Sequence, residues 1–365
     1  MNFIALRLDE HDSSVCYSNG TSVKYYKPER HFQVKHFGYN NYQGWYYACS
    51  HLGIDISKVD AIAIVIDVFK HPYLQKENPN KLYEIIDIPY KPFRDFKCPI
   101  YRVDHHYAHS LSSWMLTDTK NHAVLDGFGD LKRSISIFKK NKLEKSFTYD
   151  QIESFGRFMG KMGYLLGLEG HVEDLAGKVM ALQSFGLKDK RWEDQIKQLN
   201  IEQSSFVFDV NNYVKLFESE GVAKLNLINY LKTTHKFFEE KLPDFFKKYF
   251  KEDTLTYSGG VAHNVCVNTK LKNQFANIII PPHCADEGLT LGGIEFLRQH
   301  YDQPKFEVDN FPFWQTDIAP KRDASRKTIK SIAGDLANGE IIGWYQGHGE
   351  IGPRALGHRS ILMSP

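Results

Sequence analysis

The feature that most constrains the fold is a pattern that occurs twice along the chain: short strands joined by tight turns, then alternating helices and strands. In the first half, "NFIALRLD", "SSVCYSNG" and "SVKYYKPE" predict a three-stranded antiparallel meander, and Asn19-Gly20 is typical of a hairpin turn. The helix-like "NNYQGWYYACSHLGI" and the apolar, β-branched "DAIAIVID" follow. This half therefore changes from a meander to an α/β arrangement.

The second half begins the pattern again. "HAVLDGFGDLKRSISIFKKNKLEKSFTY" predicts a strand, a glycine-rich turn and two further strands joined at Asn141. After a helical region, "DTLTYSGG" and "ANIIIPP" predict strands, while "AHNVCVNTKLKNQ" and "LTLGGIEFLRQHY" have helical spacing. Two such halves indicate a duplicated α/β fold with a ligand site in a cleft between the copies.

Composition excludes several classes of protein. The 365 residues suffice for two or three domains, and a formal charge of +2 gives no general attraction to nucleic acid or anionic lipid. The five cysteines are scattered without a CxxC pair, so neither a disulfide framework nor a thiolate zinc site is expected, and a reducing cytoplasm is indicated. The longest apolar run, residues 61–66, is far too short for a membrane span. We therefore expect a cytoplasmic protein without a membrane partner.

Three histidines lie within five positions in "VDHHYAHSL". If the segment is helical, His105 and His109 lie one turn apart on one face and can bind the same metal ion, while His106 points about 100° away. The alternative is that they are polar helix residues with ordinary hydrogen bonds. The glutamate of an HExxH motif is absent from the sequence, which excludes that class of metalloprotease.

A metal bound by two histidines needs further ligands, and two aspartates follow predicted strands. Asp126 stands in "VLDGFGD", and Asp286 stands in "PPHCADEGL" directly before a predicted helix. Turn formation or helix capping is the alternative role for each aspartate. A set of two histidines and two aspartates suits Fe(II), manganese or zinc better than calcium.

Glycine-rich turns provide places where a ligand can approach the backbone. In "TYSGGVAHNVCVN", Gly259 and Gly260 separate a strand from a helix whose first amides can bind an anion or a nucleotide phosphate. Gly127 and Gly129 allow a similar approach in the first turn of the second half. Neither "GRFMGKM" nor "LAGKVM" has the spacing and hydroxyl residue of a P-loop, which excludes that class of nucleotide site.

Eight motifs occur in the order found in the O-carbamoyltransferases of nodulation-factor and antibiotic biosynthesis, and the chain resembles that family along its whole length. The motifs are "HDSSVCYSNG", "ERHFQVKH", "HHYAHS", "LDGFGD", "AGKVMALQSFG", "SGGVAHNVCVN", "DEGLTLGG" and "GWYQGHGEIGPRALGHRSIL". A subset also resembles the catalytic subunit of the tRNA threonylcarbamoyladenosine enzymes and part of the hydrogenase-maturation carbamoyltransferase. The resemblance implies their actin-like, sugar-kinase-like (ASKHA, RNase H-like) fold.

The resemblance also implies a reaction. In such enzymes carbamoyl phosphate and ATP, with Mg²⁺, form carbamoyl adenylate in a YrdC-like domain, and the actin-like domain transfers the carbamoyl group to an acceptor hydroxyl. Fe(II) is the usual metal there. By motif match, His105, His109 and Asp286 are expected ligands, with Asp126 as the fourth.

Further roles follow from the same match and from residue chemistry. A nearby base would assist transfer, and His106 or His11, the latter beside Asp12, could serve. A second group of cations is suited to phosphate or acceptor binding: Arg30, Lys35, His36, Arg354 and Arg359. For the first three, the alternative is that they lie in a solvated loop. The expected nucleotide contacts are Gly127, Gly129, Lys178, Ser258, Gly259, Gly260 and Asn264.

We expect an actin-like subdomain over residues 1–118, a second over residues 119–317, and the beginning of a YrdC-like domain over residues 318–365. Because the family continues well past "RSIL", the rest of the activating domain is expected on a separate polypeptide, or the chain is a fragment. The acceptor stays open between a sugar, an antibiotic hydroxyl and a hydroxymethyl base in a nucleotide or DNA. A tRNA threonylcarbamoyl transferase and a non-catalytic nucleotide-binding relative are the alternatives.

Overall fold

A computed structural model describes most of the chain. The described residues are 1–8, 11–39, 42–66, 81–88, 93–148, 154–197, 224–251, 254–315, 318–319 and 324–365. They form two compact units: unit 1 comprises Met1–Asp104 and Asp286–Pro365, and unit 2 comprises His105–Ala285. None of the described helices combines the length and apolar character that a bilayer span requires.

The strands are β1 Phe3–Arg7, β2 Ser14–Ser18, β3 Val23–Tyr26, β4 Ala61–Val65, β5 Tyr83–Ile85, β6 Ile100–Val103, β7 His122–Leu125, β8 Arg133–Lys139, β9 Lys142–Thr148, β10 Leu255–Ser258, β11 Ile278–Ile279, β12 Ile318–Ala319, β13 Ile342–Tyr345, β14 Gly347–His348 and β15 Arg359–Leu362. The helices are α1 Pro28–Phe32, α2 Tyr42–His51, α3 His105–Leu111, α4 Phe155–Leu165, α5 Val172–Leu182, α6 Lys190–Lys197, α7 Lys224–Tyr249, α8 Val265–Gln274, α9 Leu289–His300 and α10 Arg326–Ala337.

Unit 1 is built on a six-stranded sheet with the order β3-β2-β1-β4-β6-β5. Strands β1, β2 and β3 form the predicted antiparallel meander, and β4 lies parallel to β1 with Phe3 opposite Ala61. The side chains of β1 and β4 are buried throughout, in agreement with their continuous apolar sequence. The meander and the buried strand predicted from the sequence are therefore confirmed.

Helix α9 closes one face of this sheet by packing on β1 and β4. The approach is very close, because a Cβ atom at Gly293 would lie 2.9 Å from the Cβ of Ala5 and 3.4 Å from that of Ala63. This contact attaches residues 286–300 to unit 1. The structure thus divides the chain differently from the expected boundary, which placed residues 119–317 in one subdomain.

Unit 2 repeats the same plan with the sheet order β11-β10-β7-β8-β9. Strands β7, β8 and β9 form an antiparallel meander whose last turn has positive φ at Lys140 and Asn141, and β10 lies parallel to β7. The central strands of the two sheets therefore have equivalent neighbours. The duplicated α/β fold predicted from the sequence is confirmed.

The unit 2 sheet is covered by an aromatic core in which the rings of Phe155 in α4 and Phe238 in α7 stack 3.7 Å apart. The C-terminal segment of unit 1 is more exposed. Helix α10 has no buried side chain along its length, and β13 pairs only with β15 in a two-stranded ladder among the described residues.

Acid should destabilise unit 2 through His122, which lies buried in β7. Its Nδ1 atom lies 2.7 Å from the Thr256 hydroxyl, and its Nε2 atom lies 2.9 Å from the side-chain Oδ1 atom of Asn141. Burial lowers the pKa of His122 from 6.5 to about 4, so the native state disfavours the proton that the unfolded chain accepts. The contribution of neutral His122 to the free energy of unfolding is complete above pH 6.5. It should be lost between pH 6.5 and about 4, a change of about 3 kcal/mol.

The measurement is the free energy of unfolding in urea as a function of pH for the wild type and His122→Gln. The difference between the two proteins isolates this histidine, because the remaining titratable groups are unchanged. We expect that difference to vary across the window from pH 6.5 to about 4. A difference that stays constant with pH contradicts the assignment.

Candidate functional site

The histidine pair begins the short helix α3, directly after strand β6. The Asp130 carboxylate accepts a hydrogen bond of 3.2 Å from the His105 backbone N–H and so fixes the start of the helix. One turn later His109 is fully buried, and its Nε2 atom lies 3.2 Å from the Nε2 atom of His105. The spacing predicted from the sequence therefore does bring the two imidazoles together.

Asp126 meets both imidazoles from the end of strand β7. Its Oδ2 atom lies 3.4 Å from His105 Nε2 and 3.0 Å from His109 Nε2. Donor atoms bound about 2.1 Å from one tetrahedral ion lie roughly 3.4 Å apart, so these three atoms have a spacing that fits a divalent transition metal. The chemistry of these three residues also suits such an ion.

Asp286 belongs to unit 1, where it begins the short turn that precedes α9. The buried guanidinium of Arg7 in β1 donates a hydrogen bond of 2.9 Å to its Oδ2 atom. This contact fixes the orientation of the carboxylate on the unit 1 sheet. Its role as a further metal ligand stays a prediction.

His106 lies on a different side of α3 and is fully buried. Its Nδ1 atom lies 2.7 Å from the Ser136 hydroxyl, and its ring packs against Gly129. A Cβ atom at Gly129 would lie 2.4 Å from the His106 Nε2 atom, so this glycine leaves room for the ring. The structure gives both residues a packing role, while base catalysis by His106 and ligand contact by Gly129 stay predictions.

The Gly259-Gly260 turn follows strand β10, which pairs with β7. Gly259 has φ +93° and ψ 160°, and a Cβ atom there would lie 2.1 Å from the Leu125 carbonyl oxygen. A Cβ atom at Gly260 would lie 3.3 Å from Asp126 Oδ1, which places this turn beside the Asp126 carboxylate. The Ser258 hydroxyl donates to the His109 carbonyl oxygen at 3.1 Å, so turn and helix α3 are directly joined.

Gly127 lies in a second turn, where two backbones touch. A Cβ atom at Gly156, in the first turn of α4, would lie 2.9 Å from the Gly127 backbone. The Ser154 hydroxyl accepts from Arg157 N–H as the helix N-cap and lies 2.7 Å from the Gly127 carbonyl oxygen. A small pocket beside these turns is lined by Leu125, Asp126, Ser134, Ile135, Ser154, Phe155, Phe238 and Val261.

Two predicted nucleotide contacts have protein partners. The Asn264 side chain caps helix α8, since its Oδ1 atom accepts from Val267 N–H at 3.2 Å. Lys178 is exposed on α5 and donates from Nζ to the Glu169 carbonyl oxygen at 3.1 Å. Their contact with a nucleotide stays a prediction.

Asp12 organises a second cluster in unit 1, in the turn between β1 and β2. Its Oδ2 atom lies 3.2 Å from His11 Nδ1 and 2.9 Å from His36 Nδ1, and its Oδ1 atom accepts from Lys27 Nζ at 3.1 Å. Lys27 is buried and also bridges to Glu29 at 3.1 Å. The sequence predictions included His11, Asp12 and His36 but missed Lys27, because a lysine between a strand and a helix gives no signal of burial.

The charges of this cluster are balanced. Burial alone would raise the pKa of Asp12, but hydrogen bonds from His11 and His36 and the charge of Lys27 hold it well below its usual range. Burial opposes the charged form of Lys27, yet the carboxylates of Asp12, Glu287 and Glu29 raise its pKa. Asp12 is therefore a stable acceptor for both imidazoles.

Two of the predicted cations meet in unit 1. The Nη2 atoms of Arg30 and Arg359 both donate to the Gly352 carbonyl oxygen, at 3.5 Å and 3.2 Å. Burial and then the charge of Arg30 lower the pKa of Arg359, although Glu350 acts in the opposite direction. Lys35 and Arg354 are exposed, so the structure brings together only part of the predicted basic set.

The Arg359 loop is held by Glu350, which the sequence predictions missed. The Oε1 atom of this buried carboxylate accepts from three backbone N–H groups, those of Leu356, His358 and Arg359. Although burial alone would raise the pKa of Glu350, the hydrogen bonds from the backbone N–H groups of Leu356 and His358 and the charge of Arg359 lower it. The sequence shows that Glu350 stands close to Arg354 and Arg359, but it does not show which backbone N–H groups the carboxylate accepts from.

Comparison with known proteins places this geometry in context. The sequence matches the family described as carbamoyltransferase N-terminus over residues 4–294 and the one described as carbamoyltransferase C-terminus over residues 333–365. It is 24% identical over 408 aligned positions to the nodulation protein NolNO of Sinorhizobium fredii, covering 97% of this chain and 58% of that protein. Over 121 positions it is 32% identical to the 3'-hydroxymethylcephem-O-carbamoyltransferase of Amycolatopsis lactamdurans, covering 30% of this chain and 23% of that protein.

The chain spans about half the length of the curated relatives that it matches over most of its own length. Among solved structures, it resembles T. kodakarensis HypF with a TM-score of 0.53 at 13% identity, covering 82% of this chain and 48% of that one. This likeness concerns the fold alone. Together with the two repeated sheets, it confirms the expected actin-like, sugar-kinase-like fold.

Proposed function

The chain belongs to the carbamoyltransferase family, and from that premise we propose that it carries the transfer half of an ATP-dependent O-carbamoyltransferase. Carbamoyl phosphate, ATP and water would form carbamoyl adenylate, pyrophosphate and inorganic phosphate, with the C–O bond to phosphate broken and the carbamoyl oxygen joined to the α-phosphate of ATP. The acceptor hydroxyl would then attack the carbamoyl carbon, forming a C–O bond as the bond to AMP breaks, with one proton released. A small molecule, a sugar and a modified nucleobase are the candidate acceptors.

One observation carries the proposal: the metal-binding group and the glycine turn lie side by side in unit 2. Asp126 lies within 3.4 Å of the Nε2 atoms of both His105 and His109, and the same carboxylate borders Gly260. A site of this kind can hold a nucleotide phosphate beside a metal ion. We propose His105, His109 and Asp126 as metal ligands, with Asp286 as a predicted fourth.

When bound there, Fe(II) or another divalent metal would supply Lewis-acid polarisation of a carbamoyl or phosphate oxygen. The chain's own residues would hold the metal-ligating side chains in position. Ser258 joins the glycine turn to the histidine helix, and Asp130 fixes the first residue of that helix. The donor atoms are therefore held in place by hydrogen bonds as well as by packing.

His11 is supported over His106 as the proton acceptor for the attacking hydroxyl. Asp12 stabilises the tautomer of His11 in which Nδ1 carries the proton, so Nε2 is the nitrogen whose lone pair can accept another. His11 is partly exposed, whereas His106 is fully buried against Gly129. The alternative left open by the sequence is thus weighted toward His11.

Arg30 and Arg359 are the proposed phosphate contacts. Two guanidinium groups that share one carbonyl acceptor repel each other, and an anion bound between them would relieve that repulsion. A phosphate of carbamoyl phosphate or of the adenylate has the required charge and geometry.

The proposed partner is the rest of the activating domain, carried either on a separate polypeptide or on the same protein as these residues. The last forty residues expose large apolar side chains, namely Ile329, Ile341, Tyr345, Leu356, Ile361 and Met363. These residues include the segment that matches the carbamoyltransferase C-terminus family. A covering domain would remove this apolar surface from water.

The test measures pyrophosphate release from ATP and carbamoyl phosphate, then carbamoyl transfer to a panel of hydroxyl acceptors by mass spectrometry. We expect both steps to require a separately expressed C-terminal half of a full-length relative. His11→Gln should abolish transfer in that mixture while pyrophosphate release continues, because the proposed base acts only in the second step. The matched control is His106→Gln, which should retain transfer.

Three outcomes would contradict the proposal. Robust pyrophosphate release by the 365-residue chain alone would place activation within these residues. Transfer of a threonylcarbamoyl group from its adenylate to tRNA, without carbamoyl transfer to hydroxyls, would favour the threonylcarbamoyl transferase. Nucleotide binding without turnover, in the presence of a C-terminal half that makes adenylate, would favour the non-catalytic relative.

A further inference from the structure

A buried chain of polar contacts connects the long helix α7 with the turn that carries Gly259 and Gly260. The Glu239 carboxylate Oε1 lies 2.8 Å from His235 Nδ1, and His235 Nε2 lies 2.8 Å from Asn264 Nδ2. All three side chains are nearly inaccessible, with exposures of 0% for His235, 2% for Glu239 and 7% for Asn264. Neither His235 nor Glu239 was among the residues expected to form the site.

The direction of each hydrogen bond is determined by its neighbour. Asn264 Oδ1 accepts from Val267 N–H as the cap of α8, so its amide nitrogen faces His235. An amide nitrogen can only donate, which makes His235 Nε2 the acceptor and places the ring proton on Nδ1. That proton is then donated to Glu239, so these two hydrogen bonds hold His235 in one tautomer.

Glu239 is suited to its end of this chain. Burial alone would raise its pKa, but hydrogen bonds from His235 and Lys236 lower it to about 2. It therefore remains a carboxylate, and Lys236 Nζ balances its charge at 2.6 Å from the second oxygen.

Packing restricts the imidazole as well. The Phe155 ring lies 5.9 Å from the His235 ring and stacks on Phe238, the residue before Glu239. Phe155, Phe238 and Val261 also line the pocket beside Asp126. The hydrogen-bonded residues Glu239, His235 and Asn264 therefore reach the proposed nucleotide turn beside the aromatic residues that line the pocket.

The turn depends on Asn264 at two points. Its backbone N–H donates to Val261 at 3.0 Å, and its carbonyl oxygen accepts from Asn268 N–H at 2.9 Å. Asn268 in turn donates from its side chain to the Ala262 carbonyl oxygen at 2.6 Å. An Asn264 side chain held in one orientation therefore orders the backbone from Gly260 to the first turn of α8.

We propose that His235 and Glu239 are positioning residues that hold the Gly259–Asn264 turn in the conformation that binds nucleotide. They act through Asn264 and do not touch the ligand. This inference rests on the proposed function for its ligand, ATP with Mg²⁺. The geometric part, order in the turn, is independent of any ligand.

The test uses three substitutions that divide the contacts of one side chain. His235→Gln keeps an acceptor that can reach Asn264, His235→Asn keeps a donor for Glu239, and His235→Leu removes both. In the full chain without nucleotide, amide hydrogen exchange of residues 259–268 should stay near the wild-type rate in His235→Gln. It should rise about tenfold in the other two, as expected from loss of a hydrogen-bonded helix cap.

Calorimetric titration with MgATP should follow the same order. His235→Gln should bind within about twofold of the wild type, while His235→Asn and His235→Leu should bind about tenfold more weakly, since a capping interaction of this size is lost. A general packing role predicts a different result, in which Asn and Gln behave alike. Glu239→Gln retains an acceptor for His235 and should resemble His235→Gln, whereas Glu239→Leu should resemble His235→Leu.

The outcomes separate the two proposals. Unchanged exchange in His235→Leu, or equal exchange in His235→Asn and His235→Gln, would overturn the positioning role. If the wild type fails to bind MgATP, the proposed nucleotide site is wrong. The exchange data then still decide whether His235 orders the turn.

Discussion

Replacing His105 and His109 together with alanine is expected to abolish metal binding. Their Nε2 atoms lie 3.2 Å apart, and both face the Asp126 carboxylate, so the double substitution removes two of the three converging donors in unit 2. A single carboxylate binds a divalent transition metal far more weakly than a chelating set. Anaerobic loading with Fe(II) or Zn(II), followed by desalting and elemental analysis, should give about one-tenth or less of the wild-type metal content.

His106→Ala is the matched control, because it removes the neighbouring imidazole without removing a proposed ligand. It should retain close to the wild-type metal content per chain. Circular dichroism should accompany each measurement, since the His106 ring is buried between Gly129 and Ser136. Equal metal content in the folded double variant and the wild type would refute the assignment.

Gly259→Ala should destabilise the protein more than any other single methyl addition considered in these turns. The backbone conformation of Gly259 belongs to a region that is essentially restricted to glycine, and the new Cβ would lie 2.1 Å from the Leu125 carbonyl oxygen. Strands β7 and β10 would have to separate to accommodate it. We expect a loss of about 3 kcal/mol or more in the free energy of unfolding.

Gly260→Ala is the neighbouring control. Its φ does not lie in the positive region, and the nearest contact of a Cβ atom there would be Asp126 Oδ1 at 3.3 Å. We expect a change of about 1 kcal/mol or less in stability. Urea unfolding of both variants measures the comparison, and similar losses in the two would show that the close approach to Leu125 is not limiting.

The parts of the fold that local pattern determines could be predicted from the sequence. Alternating and continuous apolar segments located both meanders, and Asn141 marked the hairpin between β8 and β9. The i and i+4 spacing of His105 and His109 placed their imidazoles together because helical geometry is local. The helical spacing of "HHYAHSLSSWML" predicted a helix as far as Leu116, whereas helix α3 ends at Leu111.

Contacts between residues that lie far apart in the sequence could not be predicted in this way. Gly129 was interpreted as a position for ligand approach, and no local pattern indicates that its lack of a side chain also accommodates His106, more than twenty positions earlier. His235 meets Asn264 across a separation of 29 residues. The arrangement of strands and helices in space brings such pairs together. Periodicity within one segment does not show which other segment it will contact.

The domain boundary shows the same limit. The sequence pattern placed the helix "LTLGGIEFLRQHY" after the second half, so it was assigned to that half. Its two adjacent glycines were a signal of close packing, but their partners, Ala5 and Ala63 for Gly293, belong to the first sheet. A glycine pair indicates that a helix approaches something closely without saying what.

The discontinuous build of unit 1 has a consequence for synthesis on the ribosome. Strands β1, β2 and β3 leave the ribosome first, but helix α9, which covers β1 and β4, begins only at Leu289. At translation speeds of about 5–20 residues per second, the uncovered apolar face waits for on the order of tens of seconds. Unit 2, whose residues are continuous, can finish folding during that interval, so the first sheet made would be the last to be completed.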